Sequence, residues 1–190
     1  VVAALAIQEP QPLFDPYALR TTATRSSGSL VIKGVKALVP QASSAELFVI
    51  GVMVEEEPRL LVIPAATPGV RVEDDPAMGI RAAGTGRVLF EDCAVPEENL
   101  LGMSEDYRDV VRRARLAWAA CAVGTSQAVL DQVVPYVKDR TAFGEPIGYR
   151  QAVAFTISNI AIELEALRLV TWRAAARLDE LGARHLDRPV

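Results

Sequence analysis

Apolar residues come in short, turn-bounded runs through the first half of the chain and then settle into a repeat of threes and fours. Ser29-Leu30-Val31-Ile32-Lys33-Gly34-Val35-Lys36 is rich in β-branched residues and follows Gly28. Glu46 to Val54 and Arg59 to Ile63 are apolar runs of strand length. Glu55-Glu56-Glu57-Pro58 between them reads as an exposed hairpin connection. Gly86-Arg87-Val88-Leu89-Phe90-Glu91 predicts a further strand, ended by Asp92 and, further on, Pro96. Short strands separated by Gly and Pro predict an antiparallel β-barrel or sandwich over residues 1–103.

From Ser104 the period becomes helical as far as about Val137. Ser104 is placed to cap the helix, with Glu105 and Asp106 in its first turn. Ala117, Ala119, Ala120, Ala122 and Gly124 leave room for another helix to approach closely. A second helix runs from about Tyr149 to Leu181. Along it Val153, Ile157, Ile160, Leu164, Leu167, Thr171, Ala174, Leu178 and Leu181 form a heptad-like seam suited to antiparallel packing in a bundle. Two helices cannot cover such a seam on all sides, which calls for further helices or a partner subunit. The fold class is therefore α+β, a β domain over 1–103 and part of a helical-bundle domain over 104–190. Charge divides at the same place: residues 1–103 carry 8 basic and 13 acidic groups, residues 104–190 carry 12 and 11.

Composition narrows the chemistry. With 51% hydrophobic and 23% charged residues the chain is ordinary globular material. A net charge of −4 without a basic stripe argues against nucleic acid as a partner. Cys93 and Cys121 stand alone, and the one histidine, His185, lies near the end, expected in solvent, so zinc sites, disulfide frameworks and His-based triads are not expected. No leader-like opening and no apolar run of membrane-spanning length is present, and a reduced, cytoplasmic setting fits best. The chain begins at Val1 and stops at Arg188-Pro189-Val190 straight after a helix, so an interior piece of a longer protein is expected.

The most informative stretch is Arg140-Thr141-Ala142-Phe143-Gly144-Glu145-Pro146-Ile147, followed by Gln151. It is expected to open the second helix with a cation, an aromatic ring and an amide. Arg offers a planar fork of donors to phosphate oxygens, and a helix start favours an anion. This pattern, R-x-x-F-G-x-x-I-x-x-x-Q, resembles the FAD-binding segment of acyl-CoA dehydrogenases. Further anchors follow in the family's order. Gln8-Glu9-Pro10 with Asp15 and Leu19-Arg20-Thr21-Thr22-Ala23 resembles T-E-P-x-A-G-S-D and the strand after it. Gly34-Val35-Lys36 resembles N-G-x-K. Met78-Gly79-Ile80-Arg81 with Thr85, Val88, Phe90, Asp92, Val95 and Pro96 is similar to M-G-x-R-x-S-x-T-x-x-V-x-F-x-D-x-x-V-P. Asn99-Leu100-Leu101-Gly102 matches N-L-L-G, and Arg115-Leu116, Ala122-Val123-Gly124 and Gln127-Ala128 resemble the helix that begins the C-terminal domain.

The resemblance implies an FAD enzyme that oxidises an acyl-CoA to the trans-2-enoyl-CoA. A Glu removes the α-proton, and the β-hydride goes to the flavin. It also implies homotetramers, an electron-transfer flavoprotein as acceptor, and Arg140, Phe143 and Gln151 serving the FAD of a neighbouring subunit. Arg115 is expected near the substrate pocket or in an interhelix ion pair. Three positions depart from the pattern. The flavin-bonding Thr before E-P is Gln8, an amide able to keep that contact. The A-G-S part is Pro12-Leu13-Phe14, which places Phe14 where flavin and acyl-CoA meet. The W-I-T that borders the flavin is Leu38-Val39-Pro40, and Pro40 has no N–H to donate. No residue matches a base position: Ala114 occupies the alternative one, and Glu163 and Glu165 have no matched role. Three readings follow: a dehydrogenase whose base lies outside this chain, a catalytically degenerate subunit of a mixed tetramer, and an oxidase.

Overall fold

The computed structural model describes residues 1–75 and 78–186, with side chains as far as residue 180. The side chains of Leu181 and His185 lie outside the described residues. The chain divides into two compact units, Val1–Val111 and Arg112–Val190. The first runs past residue 103 because the opening turns of the long helix bring Tyr107 and Val111 into an apolar cluster with Leu19 and Leu60.

Among the described residues eight strands make the sheet of the first unit: β1 (Ala3–Ala6), β2 (Thr22–Ser26), β3 (Ser29–Val39), β4 (Leu47–Val54), β5 (Glu57–Pro64), β6 (Val70–Asp74), β7 (Gly86–Pro96) and β8 (Leu100–Leu101). Their order is β6-β7-β3-β2-β4-β5-β8, with β1 also against β4. The path is open, so the sheet is sandwich-like and does not close as a barrel among the described residues. It is also mixed where an antiparallel sheet was expected. β1 runs parallel to β4 from Leu47 to Ile50, and β2 meets β4 in the same direction at Met53. The chain thus leaves β4 opposite Ile50, loops out through residues 7–21 and returns opposite Met53.

Side chains alternate across the sheet, and Leu30, Ile32, Phe48, Ile50, Leu61, Ile63, Val88 and Phe90 fill its buried face. Glu55 and Glu56, at φ 48° and 68°, turn β4 into β5 in two residues, tighter than the four expected. β7 does not end at Asp92. Glu91 and Asp92 together oppose Lys33, and Asp92 takes φ 54°, so a bulge absorbs the extra residue and pairing resumes at Ile32 and Cys93. A second bulge sets Ala37 and Leu38 against Arg87. At Gly34, with φ 150°, a Cβ would stand 2.7 Å from the Thr21 Cα. That obstacle is backbone, so Gly34→Ala is expected to cost about 1–3 kcal/mol. Urea unfolding of the variant measures this, and an unchanged midpoint would refute it.

The second unit is built on two helices, α1 (Ser104–Asp139), which enters it from the first unit, and α2 (Gln151–Leu186). Ser104 is not the cap of α1. The Met103 carbonyl accepts the Asp106 and Tyr107 amides, and the Asp106 carboxylate accepts the Met103 N–H, so Met103 and Asp106 share the capping role. Along α2 the seam is buried at Leu164, Thr171 and Leu178, while Ile160 and Leu167 remain 47% and 40% exposed. Thr171 is accommodated there because its hydroxyl donates to the Leu167 carbonyl at 2.8 Å. A polar clamp joins the helices: Arg168 donates to Gln127 at 2.6 Å and to Glu165 at 3.1 Å, and Gln127 donates to Asp131 at 2.7 Å. No helix among the described residues is long and apolar enough to cross a membrane.

Candidate functional site

The loop between β1 and β2 is held from beneath. Glu9 is 3% exposed and Lys36 fully buried, and their side chains meet at 2.8 Å. The Glu9 carboxylate also accepts the Arg20 N–H at 2.7 Å and the Thr21 N–H at 2.9 Å, while Lys36 Nζ donates to the Ile7 carbonyl at 3.2 Å. The E-P and G-x-K motifs, separate in sequence, are therefore one ion pair. Burial pushes the Glu9 carboxyl up, but the Lys36 ammonium and the Arg20 amide outweigh it and hold the group below its ordinary value. Burial draws Lys36 down to about 8 against the pull of Glu9.

A carboxyl depressed in the folded state contributes stability above its unfolded value and loses it as pH falls through the folded one. The first unit is accordingly expected to keep this contribution above about pH 4.5 and to lose it below, as the folded carboxyl titrates. Glu9→Gln should flatten the acid limb of its stability curve, and an identical limb in the variant would refute the assignment.

Above this pair the sheet brings several of the expected residues together. The Gln8 carbonyl accepts the Ala37 N–H at 2.9 Å, which sets Gln8 beside the bulge at Leu38. Gln8 and Pro40 are exposed, and Leu38, at φ 52°, is 50% exposed. Gln41 donates its amide to the Ala83 carbonyl at 2.8 Å and its side chain to the Ala82 carbonyl at 3.2 Å, so the segment after Met78-Gly79-Ile80-Arg81 closes against the Leu38-Val39-Pro40 turn. Phe14 is half-buried on the cluster containing Leu19 and Tyr107, and Leu13 beside it is fully exposed at φ 52°. Leu13, Leu38, Gln41 and Ile80 in these loops are held in the left-handed region without being glycine, a strain that is often tied to function.

Arg115, Arg140, Phe143 and Gln151 belong to the second unit. Arg115 and Gln151 are exposed, on α1 and at the start of α2. Arg140 and Phe143 do not open α2, as expected, but precede it on a small hairpin. Thr141–Ala142 (β9) pairs with Glu145–Pro146 (β10) through a two-residue turn with Phe143 at φ 56° and Gly144 at φ 85°. A single helical turn over Ile147–Tyr149 then leads into α2 at Gln151, two residues later than expected. Phe143 is 93% exposed.

Arg150 was not singled out in the sequence, because the motif leaves its position unspecified. Its guanidinium carbon lies 4.8 Å from the Phe143 ring centre, and it donates to the Ala142 carbonyl at 3.1 Å, steadying the hairpin. Arg140 is exposed; its backbone N–H donates to the Tyr136 carbonyl and its carbonyl accepts the Ile147 N–H, each at 2.9 Å, while its guanidinium has no hydrogen bond or ion pair with another described residue, which leaves the donor fork available. An open guanidinium, an exposed ring and an exposed amide fit the phosphate and ring parts of a dinucleotide. The exposed Gln8 beside apolar Leu38 and Pro40 fits the face of a flat ring system. Glu163 and Glu165 are exposed on α2, and Glu165 is paired with Arg168. Among the described residues no group of His, Cys, Asp or Glu could hold a metal ion.

Residues 4–93 match the family model for the acyl-CoA dehydrogenase middle domain, and residues 108–188 match that for the acyl-CoA dehydrogenase C-terminal domain. The mouse mitochondrial short-chain specific acyl-CoA dehydrogenase is 33% identical over 188 residues, covering 94% of this chain and 46% of its own length. Among solved structures, PigA with FAD and proline superposes with a TM-score of 0.83 at 27% identity, over 94% of this chain and 49% of that one. The prolyl acyl carrier protein oxidase AnaB gives 0.80 at 28% identity, over 94% and 50%. The chain spans about half the length of the curated relatives it matches. Two consecutive domain models that together span most of the chain, in the family's order, place this chain in the acyl-CoA dehydrogenase family.

Proposed function

We propose that the chain is the central part of an FAD-dependent acyl-CoA dehydrogenase, which forms a trans-2-enoyl-CoA from the saturated thioester. The observation that carries this reading is the exposure of both the Arg140 guanidinium and, three residues on, the Phe143 ring, on the segment that resembles the family's FAD-binding motif. Arg140 would bind phosphate oxygens, Phe143 would pack on a ring, and Gln151 would hydrogen-bond nearby. Gln8 would keep one polar contact at the flavin edge, while Leu38 and Pro40 supply an apolar wall. Phe14 and Arg115 would border the acyl-CoA. When bound, FAD supplies the acceptor for the hydride equivalent from the β-carbon. The residues described here hold and orient; the carboxylate that removes the α-proton is assigned outside this chain. A cytoplasmic homo-oligomer that shares each FAD between subunits and passes electrons to an electron-transfer flavoprotein completes the reading.

A second reading rests on Gln8, Phe14 and Pro40, which replace three polar flavin contacts with one amide and two apolar groups. It makes the protein a silent subunit that pairs with an active homologue. The absorbance spectrum of the complete protein separates the two readings. A flavin band near-stoichiometric with protein that bleaches with one member of an acyl-CoA panel establishes the dehydrogenase and its acyl preference. A colourless protein, or a flavin that no thioester bleaches, establishes the silent subunit.

A further inference from the structure

We propose that the buried Glu9–Lys36 pair is a positioning element, which sets where the 7–21 loop leaves and rejoins the sheet and so places Gln8 and Phe14 at the flavin site. This rests on the reading of that loop as part of an FAD site. Three observations carry it. The loop departs opposite Ile50 and returns opposite Met53, so its two ends lie at neighbouring positions along β4. Glu9 stands at the departing end and accepts the amides of Arg20 and Thr21 at the returning end. Lys36 reaches from β3 to Glu9 and to the Ile7 carbonyl, binding the departing end twice.

Stability alone does not require such a pair. A buried ion pair can often be replaced by apolar side chains of similar volume with little loss, or with a gain. Apolar side chains cannot fix directions, however. A carboxylate with three donors around it specifies the orientation of both ends of the loop. The middle of the loop is anchored separately, by the Tyr107 hydroxyl donating to the Pro16 carbonyl and by Leu19 in the small cluster. Phe14 also packs on that cluster and the Gln8 carbonyl accepts the Ala37 N–H, so the pair acts together with these two contacts on residues 8–15, the stretch that also holds the strained, fully exposed Leu13.

The test compares the complete protein with its Glu9→Gln/Lys36→Met variant, which removes both charges together and avoids stranding one of them. Three quantities are read: the cooperative unfolding midpoint, the rate of chymotryptic cleavage at Leu13 and Phe14, and the Kd for FAD. The expected result is cooperative unfolding retained, cleavage faster by about tenfold or more through local opening, and FAD bound about tenfold more weakly. Unchanged cleavage overturns the proposal, and so does faster cleavage with unchanged FAD affinity. Loss of cooperative unfolding also overturns it, by making the pair part of the framework. An unmodified protein that retains no FAD refutes the cofactor reading and the proposal with it. Equal retention by protein and variant refutes the proposal alone.

Discussion

Tyr107→Ala is expected to destabilise the first unit by about 3–5 kcal/mol, the range for truncating a large buried aromatic. Tyr107 is fully buried at the start of α1. Its ring packs edge-on to Tyr17 with centroids 6.5 Å apart, and its hydroxyl donates to the Pro16 carbonyl 91 positions away in sequence. The ring also occupies a notch that exists because residue 51 is glycine: a Cβ on Gly51 would stand 2.8 Å from the ring. Truncation empties that notch and orphans a carbonyl, two costs that neighbouring side chains can relieve only in part. Tyr107→Phe should cost less, about 1–3 kcal/mol, since it removes the donor and keeps the volume. Urea unfolding followed by tyrosine fluorescence measures both. An alanine variant within 1 kcal/mol of the parent, on the order of a surface substitution, would show that α1 is not anchored through this residue.

Arg140→Ala in the complete protein is expected to weaken FAD retention by about tenfold to a hundredfold. That range follows from the loss of one charge-assisted contact to phosphate, worth about 1.5–3 kcal/mol. The side chain is exposed, so the β unit should unfold at its original midpoint. Arg140→Lys should retain part of the affinity, because an ammonium keeps the charge without the planar fork. Ultrafiltration with free FAD reads the affinity directly, and thermal unfolding checks the fold. Flavin occupancy equal to the parent would remove Arg140 from the site and leave the hairpin without a cofactor role.

Legibility differs between elements for reasons that lie in burial. β3, β4, β5 and β7 show in the sequence because each carries buried β-branched, aliphatic or aromatic residues at alternate positions. β1, β2 and β6 are only four or five residues long; the buried positions of β1 are alanines, β2 is largely exposed and β6 has no fully buried residue, so they carry little periodic signal. Their strand geometry comes from the neighbours they pair with. Both helices declare themselves through length, and their starts were placed at Ser104 and about Tyr149 because capping depends on which carbonyl accepts first. That choice is made by Met103 and Arg150. Among the candidate site residues, Arg140, Phe143 and Gln151 are legible as types at a spacing. Arg150 is not, because its contact with Phe143 exists only once the hairpin turns back on itself.

The sequence by itself determined the division into a β part and a helical part, the buried face of the long strands, and the family, because each depends on residue types at short spacings. Only the tertiary structure decided that Glu9 and Lys36 meet, that Tyr107 closes over Gly51, that Leu38 sits in a bulge, and that Arg140 and Phe143 stand on a hairpin instead of a helix. Those contacts join residues far apart in the chain or depend on strand register. A one-residue shift of register would turn every side chain of a strand to its opposite face without changing a letter of the sequence.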